Sequence, residues 1–152
     1  MDSPLVSRAS VLFAFNRPSL DRFLGDVTVD GLVIYDSSLI SDSQPLAAAP
    51  NLEAIGLPAT TIAESLGSAR VANVVALGAY MGRTRILPPA AIEAALHGHN
   101  LRPETISLNM RALEAGMRIG EPIGEPAGGT SQAGRIIPEA AGPNDTRDGD
   151  RP

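Results

Sequence analysis

Few side chains in this sequence have the chemistry to hold or transform a ligand, and their spacing limits what each can do. His97 and His99 flank a single glycine. Two imidazoles that close could share a metal if the segment were extended. A zinc-type site needs three or four ligands, however, and no further ligand adjoins the pair. They are read instead as a solvated turn at a helix C-terminus, where a cationic imidazole complements the helix dipole. Asp148-Gly149-Asp150 looks like the start of a Gly-Asp-Gly magnesium motif, but it has no downstream Asn and stands at the end of a polar tail. Gly128-Gly129 follows no strand and opens no helix, and no G-x-G-x-x-G or G-x-x-x-x-G-K pattern occurs anywhere. Asn16, Ser37 and Ser38 remain as candidate ligand-binding residues, because they stand at the ends of apolar runs read as strands, where an open parallel sheet puts its ligands. Helix capping and turn formation account for the same residue types. Asn73 and Asn109 lie within helical patterns and are read as structural or interface residues. A buried, unpaired amide at Asn73 would cost on the order of 1–3 kcal/mol, so it calls for a bracing partner or a subunit contact. No Ser-His-Asp set and no carboxylate pair can be argued, so no catalytic residue and no metal are assigned to the chain.

Composition narrows the function further. The 152 residues fit one ordinary domain. With 43% hydrophobic residues but only 3% aromatic, the core must be built from Ala, Val, Ile and Leu. Cys is absent, which removes disulfides, thiolate-held zinc and iron–sulfur clusters, and any cysteine nucleophile. All 12 basic residues are Arg, so Schiff-base chemistry and a P-loop lysine are excluded as well. A net charge of −5 gives no basic stripe for nucleic acid. No apolar run reaches the ~18 residues of a membrane span, and no signal peptide is visible. The expectation is a soluble cytoplasmic protein.

The elements that must position these residues follow from the apolar pattern. Val11 to Phe15 reads as a strand, closed by Asn16-Arg17-Pro18 and followed by a helix through Leu20, Phe23 and Leu24. Asn16 is its N-cap, and Pro18 suits a first helical turn. Leu32 to Tyr35 is a second strand. Neither run alternates, so both are expected to be buried on two faces of a parallel sheet. Ser41 to Asn51 reads as a loop and Ala54 to Leu57 as a third strand. Thr61 with Glu64 matches a capping box for the next helix, and Gly67 matches its C′ residue. Arg70 to Gly82 is apolar nearly all round, hence a buried helix, whose small residues allow a neighbouring backbone to approach. A short helix from Pro88-Pro89 to Leu96 precedes a last one from about Glu104 to Gly116. There Ile106, Met110, Leu113 and Met117 form a stripe. Residues 121–152 hold six Gly and five Pro, and read as a disordered tail after a domain spanning 1–120. The order predicts an α/β fold, a Rossmann-like three-layer sandwich with a parallel sheet.

Five stretches carry a family resemblance. They are Phe13 to Phe23, Gly31 to Leu39, Leu57 to Glu64, Arg70 to Ala79 and Leu108 to Gly116. In this order and spacing they resemble the gamma subunit, or gamma-type domain, of 2-oxoacid:ferredoxin oxidoreductases, the group of the pyruvate, 2-oxoisovalerate (ketoisovalerate), 2-oxoglutarate and indolepyruvate enzymes. The resemblance spans roughly Ser3 to Gly120.

The resemblance implies a non-catalytic subunit of a complex that oxidatively decarboxylates a 2-oxoacid to an acyl-coenzyme A and passes electrons to ferredoxin. Thiamine diphosphate, Mg2+ and iron–sulfur clusters are then held by partners, the alpha and beta subunits and a ferredoxin-like one, and coenzyme A access is shared. The family normally begins with a strand and a Gly-Gly-Gln-Gly turn, and Met1 stands after both. An N-terminally truncated fold with an open sheet edge is therefore expected. An independent small-ligand-binding or nucleotide-binding α/β module and an inactive remnant are the other readings.

Overall fold

The computed structural model describes residues 8–122. The expected disordered tail lies outside these residues from 123 onward, as do the paired glycines at 128–129 and the Asp148 triplet. Three strands, β1 (Ala9–Ala14), β2 (Val27–Asp36) and β3 (Glu53–Leu57), form one sheet in the order β1-β2-β3, and both pairings are parallel. The register sets Ala14 beside Tyr35 and Asp36 beside Leu57, so all three strands end on one edge of the sheet.

The unbroken apolar run in β2 has the expected cause. Leu32 and Ile34 enter a core on one face, while Val33 enters a second core on the other. The second core is closed by Leu20 of α1 (Arg17–Phe23), by Ile40, and by Leu46 of the short α2 (Gln44–Ala47). The first core is covered by α3 (Ala59–Ser65), α4 (Ala72–Thr84) and α6 (Pro103–Gly120), with α5 (Pro89–Gly98) packed outside on α6. Helices on both faces of a parallel sheet make the three layers.

The tightest packing is the seam between α4 and α6. A methyl group on Gly78 would overlap the Leu113 carbonyl, and one on Gly82 the Met117 carbonyl. Reciprocally, methyls on Gly116 and Gly120 would overlap the carbonyls of Val75 and Ala79. Two Gly-x-x-x-Gly rows therefore interleave, and the helix backbones touch. Close dispersion contact replaces side-chain interdigitation in a core that has almost no aromatics.

Several local expectations change. The rod from Arg70 to Gly82 begins as a 3-10 turn at Ala69–Val71, and α4 buries one side through Ala72, Val75, Ala76 and Ala79. The neighbouring backbone comes from the chain's own α6. Asn73 is exposed rather than buried, because it sits in the first turn of α4, turned away from the sheet. In α6, Ile106 and Leu113 are buried, but Met110 and Met117 are half-exposed, since the seam follows Ala112, Gly116 and Gly120 instead. The loop read over Ser41 to Asn51 contains α2.

Candidate functional site

The carboxyl edge of the sheet collects the polar residues, and its centre is Asp36, the last residue of β2. It is only 1% exposed, the single buried charged residue among those described. An isolated carboxylate cannot stay buried without strong partners. Asp36 has three. One oxygen accepts the Ser38 amide at 2.9 Å. The other accepts the Thr60 amide at 3.0 Å and the Thr60 hydroxyl at 2.6 Å.

These bonds explain how α3 starts. Thr61 was expected to cap the helix, with Glu64 completing the box. The helix instead begins two residues earlier, at Ala59, behind Pro58, which has no side chain to offer as a cap. The orphan N–H groups of its first turn are satisfied from the neighbouring strand. Thr60 donates to Asp36, and the Thr61 amide donates to the Ser38 hydroxyl at 3.3 Å. The Ser38 and Thr61 hydroxyls lie 3.0 Å apart. The Ser37 amide donates to the Leu57 carbonyl at 2.9 Å, extending the β2–β3 pairing past the strand ends. Asp36 and Ser38 together act as the N-cap of a helix that follows a different strand.

Of the expected ligand-binding residues, Ser37 and Ser38 stand here, both exposed, with Ser38 drawn into the cap. Asn16 stands at the same edge beyond β1. Its side-chain oxygen accepts the Ser19 amide at 2.8 Å, which makes it the N-cap of α1. Next to it, Arg17 donates to Asp21 at 2.8 Å and to Asp42 at 2.9 Å, tying α1 to the loop after β2. Its hydrogen bonds to Asp42 and then to Asp21 hold the Arg17 pKa above its usual value. The Gln44 amide, and after it Arg17, holds the Asp42 carboxyl below the usual carboxylate range. Asn109 donates to the Thr105 carbonyl of its own helix at 2.7 Å. Asn73 accepts the adjacent Val74 amide. His97 lies in the last turn of α5, with His99 as the residue after it, and both are exposed.

Sequence reasoning passed over Asp36, Thr60, Asp42 and the bridging role of Arg17. The signal for Asp36 was present: a lone acid closes a strand buried on two faces, and a Thr-Thr pair opens the helix after the next strand. One open cavity is elsewhere. About 390 Å3 in volume, it lies by Glu53 at the start of β3, against Arg83 of α4 and the end of α6. At the carboxyl edge, the hydrogen bonds of Asp36 and Ser38 tie the end of β2 to the start of α3. The described residues hold no group of three or more His, Cys, Asp and Glu able to hold a metal, and the chain has no Cys. They do not fit thiamine-bound Mg2+ or an iron–sulfur cluster. No described helix is long and apolar enough to cross a membrane.

The pattern of the family "Pyruvate ferredoxin/flavodoxin oxidoreductase" matches residues 1–119. The chain belongs to this family. It is 40% identical over 116 residues to ketoisovalerate oxidoreductase subunit VorA of Methanothermobacter marburgensis, covering 75% of this chain and 23% of that one. It is 28% identical over 122 residues to 2-oxoglutarate synthase subunit KorC of the same organism, covering 78% of this chain and 65% of the relative. Among solved structures it resembles the keto/oxoacid ferredoxin oxidoreductase gamma subunit of Geobacter sulfurreducens, with a TM-score of 0.64 and 25% identity. That match covers 74% of this chain and 64% of the other. The chain therefore spans about a quarter of VorA and just under two thirds of KorC and of the Geobacter gamma subunit. The expected family and α/β fold are both borne out.

Proposed function

We propose that this chain is a gamma-type subunit, or part of one, in a thiamine-diphosphate-dependent 2-oxoacid:ferredoxin oxidoreductase complex. The complex would decarboxylate a 2-oxoacid oxidatively and form an acyl-coenzyme A. The observation that carries the reading is the family match over residues 1–119, which takes in the whole sheet and all six helices but the last residue of α6. The chemistry of the residues supports a division of labour. The buried carboxylate serves the fold, and the described residues offer no set that fits the metal or cluster chemistry of the reaction. Thiamine diphosphate, Mg2+ and the clusters belong on partner subunits in this reading. This chain's part is assembly, with Ser37, Ser38 and Asn16 at the edge where a shared coenzyme A path would pass.

The test is affinity purification of the tagged full chain from its native cells. The proposal expects stoichiometric thiamine-binding subunits and a coenzyme A-dependent reduction of methyl viologen by 2-oxoisovalerate, pyruvate or 2-oxoglutarate. A chain recovered without such subunits, from cells that do carry out the reaction, overturns it. A second, independent comparison is thermal shift of the isolated chain against coenzyme A. Stabilisation abolished by Ser37→Ala, whose side chain takes no part in the α3 cap, would place a coenzyme A contact on this chain itself.

A further inference from the structure

We draw no further inference here: the strongest candidate, the solvent face of α5, where Ala90, Ala91, Ala94 and Ala95 are exposed between the exposed Leu87 and Leu101, is an unpartnered run of small apolar residues, and nothing in the structure shows what covers it.

Discussion

Replacing Gly116 by alanine sets two effects of opposite sign against each other at one atom. In an exposed helix this change stabilises by about 1 kcal/mol, because glycine loses more backbone freedom on folding. In the α4–α6 seam the added methyl would overlap the Val75 carbonyl and press on the Ala79 amide. Neither is a flexible side-chain end. Both are backbone atoms of a helix packed on the sheet, so relief requires the two helices to part. Overpacking of this kind costs about 1–3 kcal/mol, and contact with rigid backbone places Gly116 at or above the top of that range. The net loss is then about 2 kcal/mol after the propensity gain, or a fall in Tm of about 6–10 °C for a body of this size. Gly98→Ala is the matched control. Gly98 is likewise a helical glycine, the last residue of α5, but nothing lies within 4 Å of the added methyl. It should show only the propensity term and raise Tm slightly. Urea unfolding followed by far-ultraviolet circular dichroism reads both, with the slope showing whether the unfolded state has changed. A Gly116→Ala protein as stable as its Gly98→Ala counterpart would falsify the backbone contact, and with it the account of how a core poor in aromatics is held.

The remaining predictions concern the carboxyl edge and the loops. Asp36→Asn keeps the shape but turns a donor toward the Ser38 or Thr60 amide, so it should cost about 1–3 kcal/mol. The loss should appear in urea unfolding and as faster amide exchange at Thr60 and Thr61; unchanged exchange there would separate Asp36 from the α3 cap. Asp42 has its folded pKa depressed, so its contribution to stability is present above the unfolded carboxylate value and is lost as pH falls through the folded one. The Tm difference between the native chain and Asp42→Asn should therefore shrink below about pH 4, and a gap that widens in acid refutes the assignment. Gly67 adopts φ +110° after α3, so Gly67→Ala should cost about 1 kcal/mol or more despite open space around it. An unchanged Tm would show that this turn relaxes freely.

How much was legible depends on whether the cause was local. The strand at Leu32 to Tyr35 could be read because burial on both faces leaves an unbroken apolar run. Asn16 could be read as a cap because its partner, Ser19, is three residues away. Gly67 could be read because its left-handed conformation follows from residue type alone. Thr60 and Thr61 could not, because their partners Asp36 and Ser38 are 24 and 23 residues distant and become neighbours only when β2 and β3 pair. The small residues of α4 announced a close backbone, but not whose. The matching row at Gly116 and Gly120 sits in a helix whose apolar stripe, read by periodicity, pointed to Met110 and Met117. Asn73 was misjudged because an apolar helix was taken to be buried all round, whereas α4 buries one side, through Ala72, Val75 and Ala76, and Asn73 lies on the other.

The cap formed by Asp36 bears on what the chain can contribute to a reaction. In an open α/β sheet the strand ends and the helix N-termini beside them normally face the ligand, because unpaired N–H groups gather there. Here those of α3 are already occupied: Thr60 by a carboxylate, Thr61 by a hydroxyl. An anion arriving at this edge would have to displace a buried negative charge from short hydrogen bonds, losing interactions at least as strong as those it gained. A phosphate-bearing ligand therefore gains little at α3 and more from Ser37, whose side chain lies outside the cap, and from groups of another subunit facing it. Asp36 and Ser38 thus rivet the end of β2 to the start of α3. Under the proposed assembly role, such a fixed frame is what partner subunits holding the cofactors would dock against.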